Sequence, residues 1–451
     1  MRRINHFVVL MLENRSFDNL LGRLYPAGPE FDGLTGTESN PLHESDGSVR
    51  EIGVWTDRDL APEAACMPDP DPGELFRDIN MQLFGLHGRP GGRPSMDGFV
   101  DNYARQKTTE KAPDPRSIMH VFSPDHVPVL SELARSFGVS DRWFASAPCQ
   151  TWPNRLFTHT GTAAGRVDNN MIPLPFFTRS IFRRLERRGH DWRVYFHDIP
   201  QTAALCDLWT RLPTHFRLFE KEFARDADEG RLPAYSFIEP RYFASVFTGK
   251  MPNDAHPPHN LVYSEQLIAA TYNALRAGRA WDRTLFVVTY DEHGGCYDHA
   301  PPPDAVPPGP PYPDGFRFDR YGPRVPAVIA SPWLAHGSIV RPPEGAPPFD
   351  HTSLLATLHR LFDLGPPPNP RVASAPDLLD VLTLERPENR GPERLEVSDT
   401  VPGREALARL KRLPRNSHQS RLRHPAVLLP GLVAKGFGHA HGASWRRGRR
   451  H

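Results

Sequence analysis

The sequence predicts an α/β fold in which a mainly parallel central sheet carries helices on both faces and long Pro/Gly-rich loop insertions. Three observations support this. Thr284-Leu-Phe-Val-Val-Thr-Tyr290 and Phe7-Val-Val-Leu-Met-Leu12 are continuous rather than alternating apolar runs, the pattern of parallel strands covered on both sides. Each run ends abruptly in polar residues, Asp291-Glu-His-Gly-Gly295 in one case and Glu13-Asn-Arg-Ser16 in the other. Elsewhere strand-like and helix-like patterns alternate, as a doubly wound sheet requires. Open α/β sheets bind ligands beyond the carboxyl ends of their strands, so the two polar clusters are expected to meet over one edge of the sheet.

The remaining elements follow in order. Residues 24–95 form a polar stretch rich in Gly, Pro and Asp and read as an insertion. Met96-Asp-Gly-Phe-Val-Asp-Asn-Tyr103 opens a more regular region, and Val127, Val129, Leu130, Leu133 and Phe137 recur at helical spacing. Thr151 precedes Pro153 by two residues, which sets it at a helix N-terminus, where free amides and the helix dipole favour an anion. Trp192–Asp198 and Tyr235–Pro240 read as short strands ending in polar residues, and Asp254-Ala-His-Pro-Pro-His259 as a loop before a helix over Tyr263–Arg276. A strand at Val325–Ser331 and a helix opening at Phe349–Leu355 complete the pattern. We therefore expect one catalytic domain over residues 1–385, followed by a basic tail over 386–451.

With 451 residues, 39% of them hydrophobic and 10% aromatic, the chain can bury a large core, which excludes a disordered protein. Lys plus Arg (54) nearly cancels Asp plus Glu (53), so no overall field argues for specific nucleic-acid binding. The balance hides an asymmetry: from Arg409 onward there are eleven Lys or Arg and no Asp or Glu. That end is expected to be mobile, with weak electrostatic contact with a membrane as its candidate role. Four cysteines are too few for a disulfide scaffold, and pairing of Cys149 with Cys296 stays open. The run after Arg2-Arg3 is broken at Glu13, shorter than a signal-peptide core or a membrane span. If Met1 is the native start the expected compartment is the cytoplasm; removal of a leader would make the protein secreted or periplasmic.

Glu13, Asn14, Asp291 and Glu292 are hard oxygen donors, and with the Thr151 hydroxyl they suit one divalent cation, Ca²⁺, Mg²⁺, Mn²⁺ or Zn²⁺. Such an ion would activate the hydroxyl and neutralise charge on a phosphoryl oxygen. His197, His256, His293, His299 and His351 are candidates for protonating a leaving group or holding phosphate oxygens. Taken singly, each histidine reads more readily as a surface or structural residue than as a functional one; the set is harder to explain by packing. No G-x-S-x-G elbow, Walker loop, post-strand G-x-G-x-x-G or paired-Cys zinc motif occurs, which removes the serine-hydrolase, P-loop and Rossmann readings.

Five motifs in order resemble those of the bacterial phosphoesterase family of phospholipases C and acid phosphatases, within the alkaline-phosphatase-like superfamily. They are Glu-Asn-Arg-Ser-Phe-Asp (13–18), Met-Asp-Gly-Phe-Val (96–100), Thr-Trp-Pro-Asn-Arg (151–155), Tyr-Asp-Glu-His-Gly-Gly with Tyr-Asp-His (290–299), and His-Thr-Ser-Leu-Leu (351–355). The resemblance implies an alkaline-phosphatase-like fold, a metal held by Glu13, Asn14, Thr151, Asp291 and Glu292, and Thr151 as a nucleophile that becomes a covalent phospho-enzyme. It places His256 at the phosphate or leaving group and, by spacing, matches His197 to a further family histidine with a catalytic role; Asn154, His293, His299 and His351 are the candidates for phosphate or substrate contact. One departure is Asp71-Pro-Gly-Glu74, where the family often has Asp-Pro-x-His; a carboxylate there would repel a phosphate dianion. Three activities are open at this point: a phospholipase C acting on phospholipid or other phosphodiesters, an acid phosphatase acting on soluble monoesters, and a non-catalytic binder of anionic ligands.

Overall fold

A computed structural model describes residues 4–57, 64–88, 90–107, 112–170, 176, 178–245, 247–312, 315–401, 403–412 and 415–428. The chain begins with β1 (His6–Leu12) and α1 (Phe17–Leu21), then a hairpin of β2 (Ser39–His43) and β3 (Val49–Gly53). Helices α2 (Phe76–Phe84), α3 (Phe99–Ala104) and α4 (Pro128–Ser136) precede β4 (Gly138–Ser140) and β5 (Trp143–Phe144). Next come α5 (Thr151–Thr160), α6 (Ile181–Arg187), β6 (Trp192–Phe196), α7 (Leu212–His215), β7 (Phe216–Leu218), α8 (Phe219–Asp228) and β8 (Tyr235–Glu239). The chain continues through α9 (Leu261–Ala277), β9 (Thr284–Tyr290), β10 (Ala327–Ala330), β11 (Ser338–Ile339), β12 (Phe349–Asp350), α10 (His351–Phe362) and α11 (Pro370–Ser374) to α12 (Arg404–Arg412) and α13 (Ser417–Leu428).

Eight strands form the central sheet in the order β11-β4-β10-β9-β1-β8-β6-β7. The five strands from β9 to β7 run parallel; β10 is antiparallel to both β9 and β4. This is the mainly parallel α/β sheet that the two apolar runs predict. Every residue of β9 and all but the first of β1 are buried, so both faces of these strands are covered. Helices α4, α8 and α9 pack together as one group, and α5, α6 and α10 as another. The largest apolar cluster joins the strands to these helices through Phe7, Leu10, Leu133, Trp152, Ile268, Phe286 and Leu358.

The stretch over residues 24–95 carries more order than its composition suggests. The β2–β3 hairpin and α2 share a second, smaller core with α3, built from Leu42, Ile52, Ile79, Leu83, Phe99 and Tyr103. It therefore has apolar residues enough to fix its own position, and it delivers Asp71 and Glu74 to the end of the sheet. At the other terminus, the segment read as a mobile basic extension contains α12 and α13, and His418 of α13 is fully buried. The Arg-rich end over residues 429–451 lies outside the described residues. Among the described residues, no helix is long and apolar enough to cross a membrane. All four cysteines are free, so Cys149 and Cys296 are not joined.

Candidate functional site

The site begins with a register. In the parallel β1–β9 ladder Leu12 stands opposite Tyr290, so the residues that follow, Glu13 and Asp291, leave the sheet side by side. The Asp291 amide donates to the Leu12 carbonyl at 3.2 Å, and the Asp291 Oδ1 accepts from the amides of Asn14 (3.1 Å) and Glu292 (2.8 Å). Asn14 adopts φ 54°, a left-handed conformation that asparagine tolerates better than most residues. Gly294, itself at φ 59°, passes so close that a Cβ there would lie 2.5 Å from the Asn14 Cβ and carbonyl oxygen. Both ends of the turn are thereby fixed by backbone.

Asn14 then links three other segments. Its Oδ1 accepts from the Thr151 hydroxyl at 3.3 Å, and its Nδ2 donates to Glu74 Oε2 at 2.5 Å and lies 3.0 Å from His256 Nε2. Thr151 is the first residue of α5, with Gln150 as the cap; the α5 amide of Trp152 donates to Asn169 Oδ1 at 2.8 Å. The threonine is thus at the helix N-terminus, as the Thr-Trp-Pro motif predicts, with its hydroxyl free of capping duty. Glu74 Oε1 accepts from Gln150 Nε2 (2.8 Å) and from Ser417 Oγ (2.9 Å). His256 has its Nδ1 2.6 Å from the Pro257 carbonyl, with Asp71 at 3.6 Å and Glu74 at 3.7 Å. Burial alone would depress His256, but Asp71 and Glu74 outweigh it and hold the imidazole well above its usual range. Burial likewise pushes Glu74 up, and its bonds to His256, Ser417 and Gln150 bring it below the usual carboxylate value.

Two carboxylates lack any such support. Both oxygens of Glu13 and both of Glu292 are buried with no hydrogen-bond partner among the described residues. Burial, with Asp291 beside it, pushes Glu13 well up; burial, with Glu74 and Asp291, does the same for Glu292. Unpaired buried carboxylates cost several kcal/mol, of order 1–3 or more each, unless a cation offsets them. Arg155 supplies part of that charge, lying 3.3 Å from Glu13 and 3.2 Å from Asp291. Among the described residues no arginine or lysine pairs with Glu292, which has only His293 Nδ1 at 3.7 Å. Orphaned oxygen donors beside Asn14, Asp291 and a hydroxyl are what a divalent cation requires, so Glu13, Asn14, Asp291, Glu292 and Thr151 fit one.

The other predicted residues take different positions. Asn154 uses its amide entirely on the backbone before Thr151, accepting from the Ala147 amide and donating to the carbonyls of Ala147, Cys149 and Gln150, so it shapes the loop that leads into Thr151. His351 Nε2 donates to the Asp291 carbonyl at 2.6 Å, behind the carboxylate. His293 Nε2 meets Gln82 Oε1 at 2.8 Å while its Nδ1 lies 3.7 Å from Glu292. His197 has its Nδ1 3.0 Å from the Glu239 carbonyl and stacks on Phe219; among the described contacts none joins it to Asn14 or Thr151. His299 belongs to a separate network with Asp18, Asp32, Asp298 and Arg324. Asp18, Asp298 and His299 bring three donor atoms close enough for a metal. Arg324, however, donates to both carboxylates at 2.9 Å, so that cluster already contains its cation.

Two contributors were not singled out from sequence. Arg155 closes the Thr-Trp-Pro-Asn-Arg motif four residues after Thr151, one helical turn along the same face, and that spacing was the available signal. His418, by contrast, sits in a segment with no recognisable pattern. Its Nε2 lies 3.3 Å from Glu13 Oε1 and its ring packs on Tyr242 and Trp152. Burial, with Arg155 and His256 nearby, lowers it well below the usual histidine value and leaves a neutral imidazole.

Comparison with known proteins matches this architecture to one family. The family model described as Phosphoesterase family matches residues 4–365. Non-specific phospholipase C1 of Arabidopsis thaliana is 40% identical over 377 residues, covering 80% of this chain and 67% of that protein. Non-specific phospholipase C4 of the same plant is 36% identical over 420 residues, 89% and 76% of the two chains. Phospholipase C A of Mycobacterium tuberculosis is 26% identical over 417 residues, 81% and 74%. Among solved structures, the phosphonate monoester hydrolase of Agrobacterium radiobacter gives a TM-score of 0.34 at 14% identity, covering 57% of this chain and 72% of the other. The chain belongs to the Phosphoesterase family and is a hydrolase of phosphoester bonds.

Proposed function

We propose that the protein is a metal-dependent phospholipase C-type enzyme that cleaves phosphodiesters through a phosphorylated Thr151. The observation that carries the reading is the chain of contacts Thr151 Oγ1–Asn14 Oδ1 and Asn14 Nδ2–Glu74 Oε2, at 3.3 and 2.5 Å. It puts a hydroxyl at a helix N-terminus among unpaired carboxylates, and a fixed negative charge where the phosphate would sit. A phosphomonoester near neutral pH brings close to two negative charges and a diester only one, so a buried carboxylate discriminates against the monoester. The names of the plant and mycobacterial relatives support the same substrate class.

A divalent ion held by Glu13, Asn14, Asp291 and Glu292 would supply charge neutralisation and lower the pKa of the hydroxyl. The chain's own residues do the rest. The Thr151 oxygen forms the new bond to phosphorus, releasing its proton to solvent, as the bond from phosphorus to the lipid alcohol breaks. His256, kept protonated by Asp71 and Glu74, gives the departing oxygen its proton. Water then attacks the phosphothreonine; His256 recovers a proton from that water, and the threonine oxygen regains one from solvent as the phosphorylated head group leaves. Arg155, behind Glu13 and Asp291, offsets part of the negative charge that gathers there.

The test is hydrolysis of p-nitrophenylphosphorylcholine beside p-nitrophenyl phosphate, with chelator and then with Ca²⁺, Mg²⁺, Mn²⁺ or Zn²⁺ restored. Preference for the choline diester, abolished by chelator, is the expected result. Preference for the monoester would reassign the protein to the soluble phosphatases, and silence with every metal would leave only a binding role.

A further inference from the structure

The helix α13 reaches the site from the far end of the chain, and what it brings is unusual. His418 is fully buried, and neither ring nitrogen has a hydrogen-bond partner among the described residues. The walls around it are largely aromatic, with the Tyr242 ring at 4.6 Å and the Trp152 ring at 6.0 Å. A buried imidazole with both nitrogens unsatisfied is unfavourable relative to a phenyl ring of similar shape, because its polar atoms have given up water for nothing. Packing alone therefore does not account for a histidine here. Its Nε2 faces Glu13 Oε1 at 3.3 Å, on an oxygen that Arg155 Nη2 approaches to the same distance, yet among the described residues neither nitrogen makes a hydrogen bond with it. Two lone-pair donors that approach this closely without bonding point at a common third partner. Donors on one tetrahedral Zn²⁺ at about 2.0–2.1 Å lie roughly 3.3 Å apart.

We propose that His418 is a ligand to the cation held by Glu13, so that α13 completes the metal centre and makes it favour zinc over magnesium. The inference rests on the metal reading given above. An imidazole beside carboxylates shifts a site from the hard ions Ca²⁺ and Mg²⁺ toward borderline ions such as Zn²⁺. The helix is held for this task by Ser417, which donates to Glu74 at 2.9 Å, and by Gln419, whose Nε2 donates to the Tyr242 carbonyl at 2.6 Å. Glu74 thus has two neighbours that meet only when α13 is docked, Asn14 from the sheet and Ser417 from the helix.

The experiment uses the full-length protein, stripped with chelator and titrated calorimetrically with Zn²⁺ and, separately, with Mg²⁺. Wild type is expected to bind one Zn²⁺. H418A should weaken Zn²⁺ binding at least about tenfold, with Mg²⁺ affinity changed less than about threefold. H418F retains the ring volume, keeps the helix docked by circular dichroism and should show the same Zn²⁺ loss. Millimolar imidazole should restore Zn²⁺ binding to H418A and not to H418F. In the Co²⁺-loaded protein, the visible d–d spectrum should change on removing the nitrogen donor. Unchanged Zn²⁺ affinity and an unchanged Co²⁺ spectrum in both variants would overturn the assignment. A wild-type protein that binds no divalent ion at all would instead overturn the metal reading beneath it.

Discussion

Asn14 and Glu74 share a hydrogen bond of 2.5 Å, Nδ2 to Oε2, although they belong to different layers of the molecule: one ends a central strand, the other precedes α2 beside the small second core. The bond makes the polar insertion part of the floor of the candidate site. It also fixes the Asn14 amide so that its oxygen faces Thr151.

Glu74→His should shift substrate preference. Replacing the carboxylate by an imidazole removes repulsion toward a dianion, so the ratio of kcat/KM for p-nitrophenyl phosphate to that for the choline diester should rise at least about tenfold, roughly 1.4 kcal/mol. An unchanged ratio would mean that Glu74 does not face the phosphate.

Removing the Thr151 hydroxyl is expected to abolish turnover without unfolding the protein. Thr151→Ala should lower kcat by about 10³-fold or more with little change in Tm, and Thr151→Ser should recover part of the loss. Acid-quenched wild type should carry a phosphate on Thr151, seen by mass spectrometry. A fully active alanine variant would redirect the nucleophile assignment to Ser16.

Arg324 supports stability rather than chemistry. It is completely buried and donates to Asp18 and Asp298, so Arg324→Met leaves two buried carboxylates without their cation. The cost is expected at about 3–5 kcal/mol. Urea unfolding measures it, and the activity of the folded fraction should persist.

His299 gives a pH dependence with a definite sign. Burial opposes its charge, but Asp18 and Asp32 raise its pKa to about 10, above the value of about 6.5 expected in the unfolded chain. A raised folded-state pKa means stability that is fully present below about pH 6.5 and declines as pH rises toward 10. The urea midpoint of wild type should therefore fall across that window, and His299→Gln should flatten the slope.

Much of the fold was legible because β1 and β9 are buried on both faces, and burial on both faces leaves a continuous apolar run that alternation cannot mimic. The family motifs were legible for a related reason: Glu13, Asn14, Asp291 and Glu292 sit within two residues of a strand end, where local pattern and chemistry coincide. The histidines were harder. His351, His197 and His256 each direct one ring nitrogen at a backbone carbonyl, and what sets His256 apart is its Nε2 beside Asn14, a placement made by tertiary geometry. Arg155 was hidden in plain view within a motif read for its threonine. His418 could not be found at all, since it reaches Glu13 only through the docking of α13, and a single histidine in a basic stretch carries no period or spacing to mark it.

The pairing of Leu12 with Tyr290 ties core to chemistry more tightly than a shared scaffold would. Shifting β9 along β1 by one residue would turn every apolar side chain of the strand to the opposite face and would, in the same motion, separate Asp291 from Glu13. The molecule cannot mis-set these carboxylates without also mis-packing its centre. The cooperativity of folding therefore acts as proofreading for the candidate site: a chain that has buried its middle strands correctly has, with no further adjustment, brought Glu13 and Asp291 side by side.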